Sequence, residues 1–402
     1  MDNNNTIRRS FADVDYAEAL RRAESLIPLL KAEADASEKL THITPAVLNA
    51  FHETGLLRYM QPKRWGGMEL DFAAVFDIPE MLGRGDASAS WTFTNLSAHH
   101  RLLALWDNKA QEEIWGENPD ACIASGIAYP QGRGRKVDGG YVISGKWGFS
   151  SGVDVSTWNM LACMVYEGDK PVDWRMCLVP LPDFEVIDDW QTLGMRGTGS
   201  RSVQCKDVFV PEHRALCMHT AKPGFEYAGW KVNTAPQYRI PLSGFGGTGI
   251  GGSMTGNARA MLNEVIAMVK SRSTAYTGAK MRDFQAVQLR IGMAGAKIDA
   301  ASTLMRNDCI EAQRAIEAGG AVSIEARLRY KRNSSACIKL VTEAVDSLFE
   351  MCGAHGIYDA GPMQRLFRDA HAGGAHINFN VDVNLSPWAL VALGGEFKSP
   401  TL

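Results

Sequence analysis

The sequence predicts an α+β fold in three parts: an N-terminal helical domain over residues 1–118, a central β-barrel or sandwich over 119–222, and a C-terminal four-helix bundle over 223–402. Three observations carry this. Apolar residues recur every three to four positions up to about residue 116 and again from about 258, which is the rhythm of helices. Between 121 and 210, short apolar runs alternate with Gly, Pro and Asp at intervals suited to a sandwich or barrel rather than to βαβ units. The 402 residues, 46% hydrophobic and 22% charged, suffice for a large core in a globular protein.

In the first part Leu20, Leu26, Leu29 and Leu30 mark one helix; Thr44-Pro45 starts another, with proline in its first turn, and Gly55 ends it. Pro62-Lys63-Arg64-Trp65-Gly66-Gly67 reads as a loop, after which helices resume over 71–83 and 88–100. In the second part Asp138-Gly139-Gly140, flanked by alternating apolar residues, predicts a hairpin. Further strands are expected over 157–166, 176–181 and 202–210. The strand after the hairpin is expected to leave regular pairing at Gly148, Phe149, Ser150 and Ser151, presenting hydroxyls and bare backbone. In the third part a loop over 222–241 precedes long amphipathic helices over 258–272, 283–318 and 323–352, as in an antiparallel bundle. A shorter helix over 363–371 and an apolar tail over 388–393 follow.

Composition excludes several classes. Net charge is −3 and no basic run is interleaved with aromatics, so no nucleic-acid partner is expected. No apolar run reaches the roughly 18 residues that a membrane span needs, and Met1-Asp2-Asn3-Asn4-Asn5-Thr6 has no signal-peptide apolar region, so the expectation is a cytoplasmic protein. Eight scattered cysteines without a Cys-x-x-Cys pair read as reduced core residues, and nine histidines form no metal-ligand spacing. Redox chemistry would then require an organic cofactor.

One stretch is more specific. Ser144-Gly145-Lys146-Trp147-Gly148-Phe149-Ser150-Ser151-Gly152 resembles the β-domain signature of flavin-dependent monooxygenases built on the acyl-CoA dehydrogenase fold, the oxygenase components of two-component aromatic hydroxylases. Residues 56–67, Leu193-Gly194-Met195-Arg196-Gly197-Thr198-Gly199-Ser200, and Cys352-Gly353-Ala354-His355-Gly356 with Arg368-Asp369 resemble other segments of that family in the same order. The resemblance spans nearly the whole chain. It implies a homotetramer that receives reduced FMN or FAD from a separate flavin reductase, reacts it with O₂ to a C4a-hydroperoxide, and hydroxylates a small aromatic substrate, a phenol or an indole acid.

The alternatives are an acyl-CoA dehydrogenase with a displaced base and a non-catalytic flavin-binding scaffold. A dehydrogenase needs a carboxylate to abstract a proton. The commonest family position for it is Ile377 here, no Asp or Glu lies between Asp369 and Asp382, and none lies from Tyr227 to Asn263. The resemblance instead implies a catalytic His376, eight residues after Arg368, and a substrate-holding His99, twenty-six residues before Ser125. His100 competes with His99 for the pocket, and Trp91 sits on the same helix. Ser125 and Ser150 are spaced as flavin-lining serines, with Ser150 on flavin N5 and Ser151 its competitor. Trp147 and Phe149 would surround the ring. Arg272, Gln288, Gly353 and Gly356 are candidates for the flavin phosphate, since guanidinium groups and glycine amides suit that anion.

Two motifs are set aside. Gly247-Thr248-Gly249-Ile250-Gly251-Gly252 fits Gly-x-Gly-x-x-Gly but lacks a strand before it and an acid about twenty residues on; it is expected to be a tight helix-entry loop beside the cofactor. The basic run at 327–332 is expected to be a solvated or subunit-facing helix side.

Overall fold

The computed structural model describes residues 9–127, 131–220, 225–274 and 277–399. The Met1–Thr6 start and the first residues of the loop expected at 222 lie outside them. Five helices come first: α1 (Tyr16–Leu40), α2 (Pro45–Thr54), α3 (Ala74–Gly83), α4 (Ala87–Leu103) and α5 (Asn108–Trp115). Their starts are chemically marked. Asp15, Thr44 and Asp86 each accept a hydrogen bond from a backbone N–H of the turn they open. Gly55 closes α2 in a left-handed conformation.

Eight strands follow: β1 (Ile123–Gly126), β2 (Gly132–Val137), β3 (Gly140–Ser150), β4 (Trp158–Glu167), β5 (Lys170–Pro180), β6 (Glu185–Ile187), β7 (Arg201–Pro211) and β8 (Ala215–Cys217). They form a sheet in the order β6-β7-β3-β2-β4-β5-β8, with β1 parallel to β4. The Asp-Gly-Gly hairpin is present, Val137 opposite Gly140. The strand β3 departs from expectation, because it stays paired to β7 as far as Ser150 opposite Arg201 and carries an irregularity between Trp147 and Ser150. Within that bulge Phe149 has φ of 62°. The extra residue resets the alternation, so Phe149 is 74% exposed and Ser150 is buried.

Five helices complete the chain: α6 (Thr248–Ser271), α7 (Gln285–Glu317), α8 (Ile324–Cys352), α9 (Met363–Gly374) and α10 (Val381–Ala392). The glycine-rich segment is not a loop. It forms the first turns of α6, ten residues ahead of the expected start, because its glycines let α6 lie against α3. A Cβ on Gly256 would collide with the Glu80 carbonyl, and one on Gly83 would meet the Ser253 carbonyl at 2.5 Å. The basic run on α8 works inside the fold: Arg327 donates to Ser243, Arg329 pairs with Glu311, and Arg332 stacks over Trp388.

One apolar cluster runs through α1–α4 and α6–α9, so the two helical regions share a core. A second fills the β-domain interior, and a third joins the end of α4 and α5 to the outer strands. Among the described residues no helix is long and apolar enough to cross a membrane.

Candidate active site

The helix α4 is buried on nearly every side, with only Asn95, Ala98 and Leu102 partly exposed. Those positions fall three and four residues apart and so form one stripe. Trp91 and His99 lie on the same face.

His99 is buried, and its Nδ1 lies 2.5 Å from the Ile123 carbonyl on β1. A carbonyl only accepts, so Nδ1 carries the proton and Nε2 is left as an acceptor. Burial pushes the imidazolium pKa down to about 4. His376 has the opposite arrangement. Its Nδ1 accepts from the Asn378 backbone N–H at 3.2 Å, which puts the neutral ring's proton on Nε2, and burial again lowers its pKa to about 4.

Trp91 ties the sites together. Its ring meets His376 edge-on at 5.6 Å, and its indole N–H donates to Ser151 Oγ at 3.3 Å. The turn carrying Ser151 comes this close because Gly152, at φ of 75°, has no side chain to hold off Thr92 and Leu96 of α4. Behind Ser151 runs a chain of hydroxyls. Ser151 bonds Ser200 at 2.7 Å, Ser200 bonds Thr198 at 2.6 Å, and Thr198 donates to the Met195 carbonyl at 2.9 Å. The Met195 N–H donates to Asp369 Oδ1 at 2.5 Å. Asp369 is buried, and burial together with nearby Asp86 pushes its pKa up to about 7. This chain escaped the sequence reading, although alternating glycine and hydroxyl residues at 197–200 were visible.

Other predicted residues are distributed differently. His100 turns away from the stripe: its Nδ1 accepts from Trp115 Nε1 at 3.0 Å, its ring stacks on Trp115, and its pKa falls to about 3 through burial. Consecutive helical residues point about 100° apart, which separates it from His99. Ser150 faces the β-domain interior and accepts from Asn159 Nδ2 at 2.9 Å. Trp147 is fully buried there, with its indole N–H on the Ala162 carbonyl, so it holds the sheet together. Ser125 on β1 is buried, and its hydroxyl has no hydrogen-bond partner among the described residues. Phe149 meets Trp190 edge-on at 6.1 Å.

Comparisons with known proteins show the family. The family "Acyl-CoA dehydrogenase, C-terminal domain" matches residues 248–381. The chain is 34% identical over 383 residues to the flavin-dependent monooxygenase oxygenase subunit HsaA of Rhodococcus jostii, covering 95% of this chain and 98% of that one. It is 31% identical to the FADH(2)-dependent resorcinol hydroxylase oxygenase component of a Rhizobium species, over 90% of each chain. The crystal structure of 3-HSA hydroxylase from Rhodococcus sp. RHA1 superposes with a TM-score of 0.92 at 32% identity, covering 97% of this chain and all of that one.

The chain belongs to the flavin-dependent monooxygenases, as an oxygenase subunit. In this monooxygenase the residues that resemble a phosphate site sit elsewhere. Arg272 caps α6 and donates to the Cys352 carbonyl at 3.1 Å, directly before Gly353. Gly353 is left-handed with open space around it, Gly356 is buried, and Gln288 is exposed at the start of α7. The His376 segment instead packs on the other end of the bundle, against Gly246, Gly247 and Ser335. The 24 residues of α6 separate the two groups by roughly 36 Å along its axis.

Proposed function

We propose that this monooxygenase hydroxylates a phenolic aromatic substrate at the cleft between Trp91, His99, Ser151 and His376, using reduced flavin from a separate reductase. One observation carries the reading: Trp91 joins His376 to Ser151 while His99, one face of α4 along, presents an acceptor nitrogen. A phenol hydroxyl donates to His99 Nε2 and accepts from the unpartnered Ser125 hydroxyl. The Nε2–H of His376 donates to oxygen at the reacting carbon. Both rings stay neutral at working pH because protonating them inside the fold is costly.

The residues fit a flavin ring. Phe149 is held outward next to Gly148, and Ser151, two residues on, is buried against Trp91. Ser151, rather than Ser150, is our candidate partner for flavin N5, because its hydroxyl is tied to Trp91 and through it to His376, whereas Ser150 faces the β-domain interior on Asn159. When bound, the reduced flavin supplies activated oxygen. The chain's own part is to exclude water and to hold hydrogen bonds at that edge.

Arg272 and Gly353 lie at the C-terminal end of α6, with Gln288 in the first turn of α7, and the end of α6 on which the His376 segment packs is roughly 36 Å away along its axis. They therefore serve a neighbouring subunit's cofactor, which supports the homotetramer. The exposed apolar residues Leu289, Met293 and Leu304 on α7 offer a face for that contact.

The test is to load the protein anaerobically with chemically reduced FMN or FAD and mix it with oxygenated buffer. A persistent near-ultraviolet absorbance, followed by hydroxylated product when a phenol is present, is the expected result. Single-phase flavin reoxidation without product would end the proposal.

A further inference from the structure

The half-exposed stripe on α4 contains one polar residue that no step above uses. Asn95 lies four residues after Trp91 and four before His99, so it stands between them on one helix face. Its Nδ2 donates to the Trp91 carbonyl at 2.9 Å. Because only the amide NH₂ can face a carbonyl, that bond fixes the side-chain flip and turns Oδ1 outward. Oδ1 has no donor among the described residues and is not a buried orphan, so it is accessible on the half-exposed stripe. The face offers acceptors at Asn95 Oδ1 and His99 Nε2, on residues one turn apart whose Cβ atoms lie about 5–6 Å from each other. Two substituents of one aromatic ring can bridge that gap.

This face of α4 carries no cation. Arg101, two residues beyond His99, is buried and spent on the carbonyls of Gln237 and Ile240 and on the Phe72 ring. Nothing on the stripe therefore recognises a carboxylate.

Building on the hydroxylase reading, we infer that Asn95 sets the substrate class: it accepts a hydrogen bond from a second donor on the ring, so the enzyme selects a neutral phenol bearing another hydroxyl or an amine. Asn95 is then a specificity-determining residue that touches substrate and takes no part in oxygen transfer.

The experiment measures equilibrium binding of phenol, resorcinol, 3-aminophenol and 3-hydroxybenzoate to flavin-loaded full-length protein, for wild type, Asn95→Ala and Asn95→Asp. Wild type is expected to bind resorcinol and 3-aminophenol about tenfold more tightly than phenol, the size of one hydrogen bond. Asn95→Ala should erase that preference with phenol affinity unchanged, and Asn95→Asp, which keeps an acceptor but cannot donate to Trp91, should retain it. If both variants weaken every ligand by the same factor, Asn95 acts only through Trp91 and the inference falls. It also falls if Asn95→Ala leaves the preference intact or if 3-hydroxybenzoate binds tightest. The oxygen-mixing absorbance is recorded in parallel. Its absence in wild type would overturn the hydroxylase reading, whereas the binding panel judges Asn95 independently.

Discussion

At His99 the Ile123 carbonyl accepts from Nδ1–H, at His376 the Nδ1 accepts from the Asn378 N–H, and burial keeps either ring from titrating where a free histidine would. Both pKa values lie near 4, below the unfolded value of about 6.5. The folded state thus binds fewer protons than the unfolded chain between these limits, and stability falls as pH drops from about 6.5 to 4. Phenol affinity is expected to stay flat from pH 6 to 8 and to collapse below about pH 5; a binding profile with a midpoint near 6.5 would contradict this. The proposed roles of the two serines differ in their readout. Ser151→Ala should shorten the near-ultraviolet absorbance after oxygen mixing by an order of magnitude and also cost about 1–3 kcal/mol, because Trp91 and Ser200 lose a buried partner. Ser150→Ala should cost about as much, because Asn159 loses its buried partner, while leaving that absorbance unchanged. The family resemblance, matched by spacing, made His99, His376 and the serine pair visible in the sequence. It could not tell His99 from His100, which differ by the turn of one helical residue, nor Ser150 from Ser151, whose facing depends on a bulge where Phe149 is left-handed.

The helices α3 and α6 touch through backbone, and the residues that permit it looked like a loop. Gly256→Ala is predicted to lower stability by about 1–3 kcal/mol through overpacking against Glu80, read as a fall in melting temperature. Glycine runs are poor helix formers, so local propensity pointed away from α6 while tertiary packing required it. Capping residues, by contrast, marked the start of α2 and its end at Gly55 correctly, because these signals are local chemistry. The helix α9 meets the β-domain through Asp369 and the Met195 N–H. With its pKa raised to about 7, Asp369 favours the protonated form in the fold, so its ionisation erodes stability as pH rises from about 4 to 7. Asp369→Asn keeps the acceptor without the charge. It should match wild type at pH 4 and exceed it at pH 8 by on the order of 1 kcal/mol or more, by chemical denaturation.

Over the whole molecule, the order of helical part, strand part and helical part was legible because period and turn chemistry change sharply at its borders. The shared core of the outer parts was not, since periodicity shows that a face is buried without saying against what. Assembly gives the remaining prediction. On the proposed homotetramer, Arg272→Ala should weaken flavin binding about tenfold with assembly unchanged, and Leu289→Asp with Met293→Asp should give a monomer that has lost flavin affinity. Sedimentation combined with flavin titration checks both, and a monomer that binds flavin normally would refute the subunit-completed site.

Because a single apolar cluster threads α1–α4 and α6–α9, the strand part is in effect an insertion spliced into one folding unit. Its contacts are of long sequence separation, and closing so large a loop makes such folding slow. During synthesis the emerging amino-terminal helices must wait, with apolar flanks uncovered, until α9 has left the ribosome. This chain should therefore depend on chaperone holding, and deleting α9 should leave it aggregated rather than shortened.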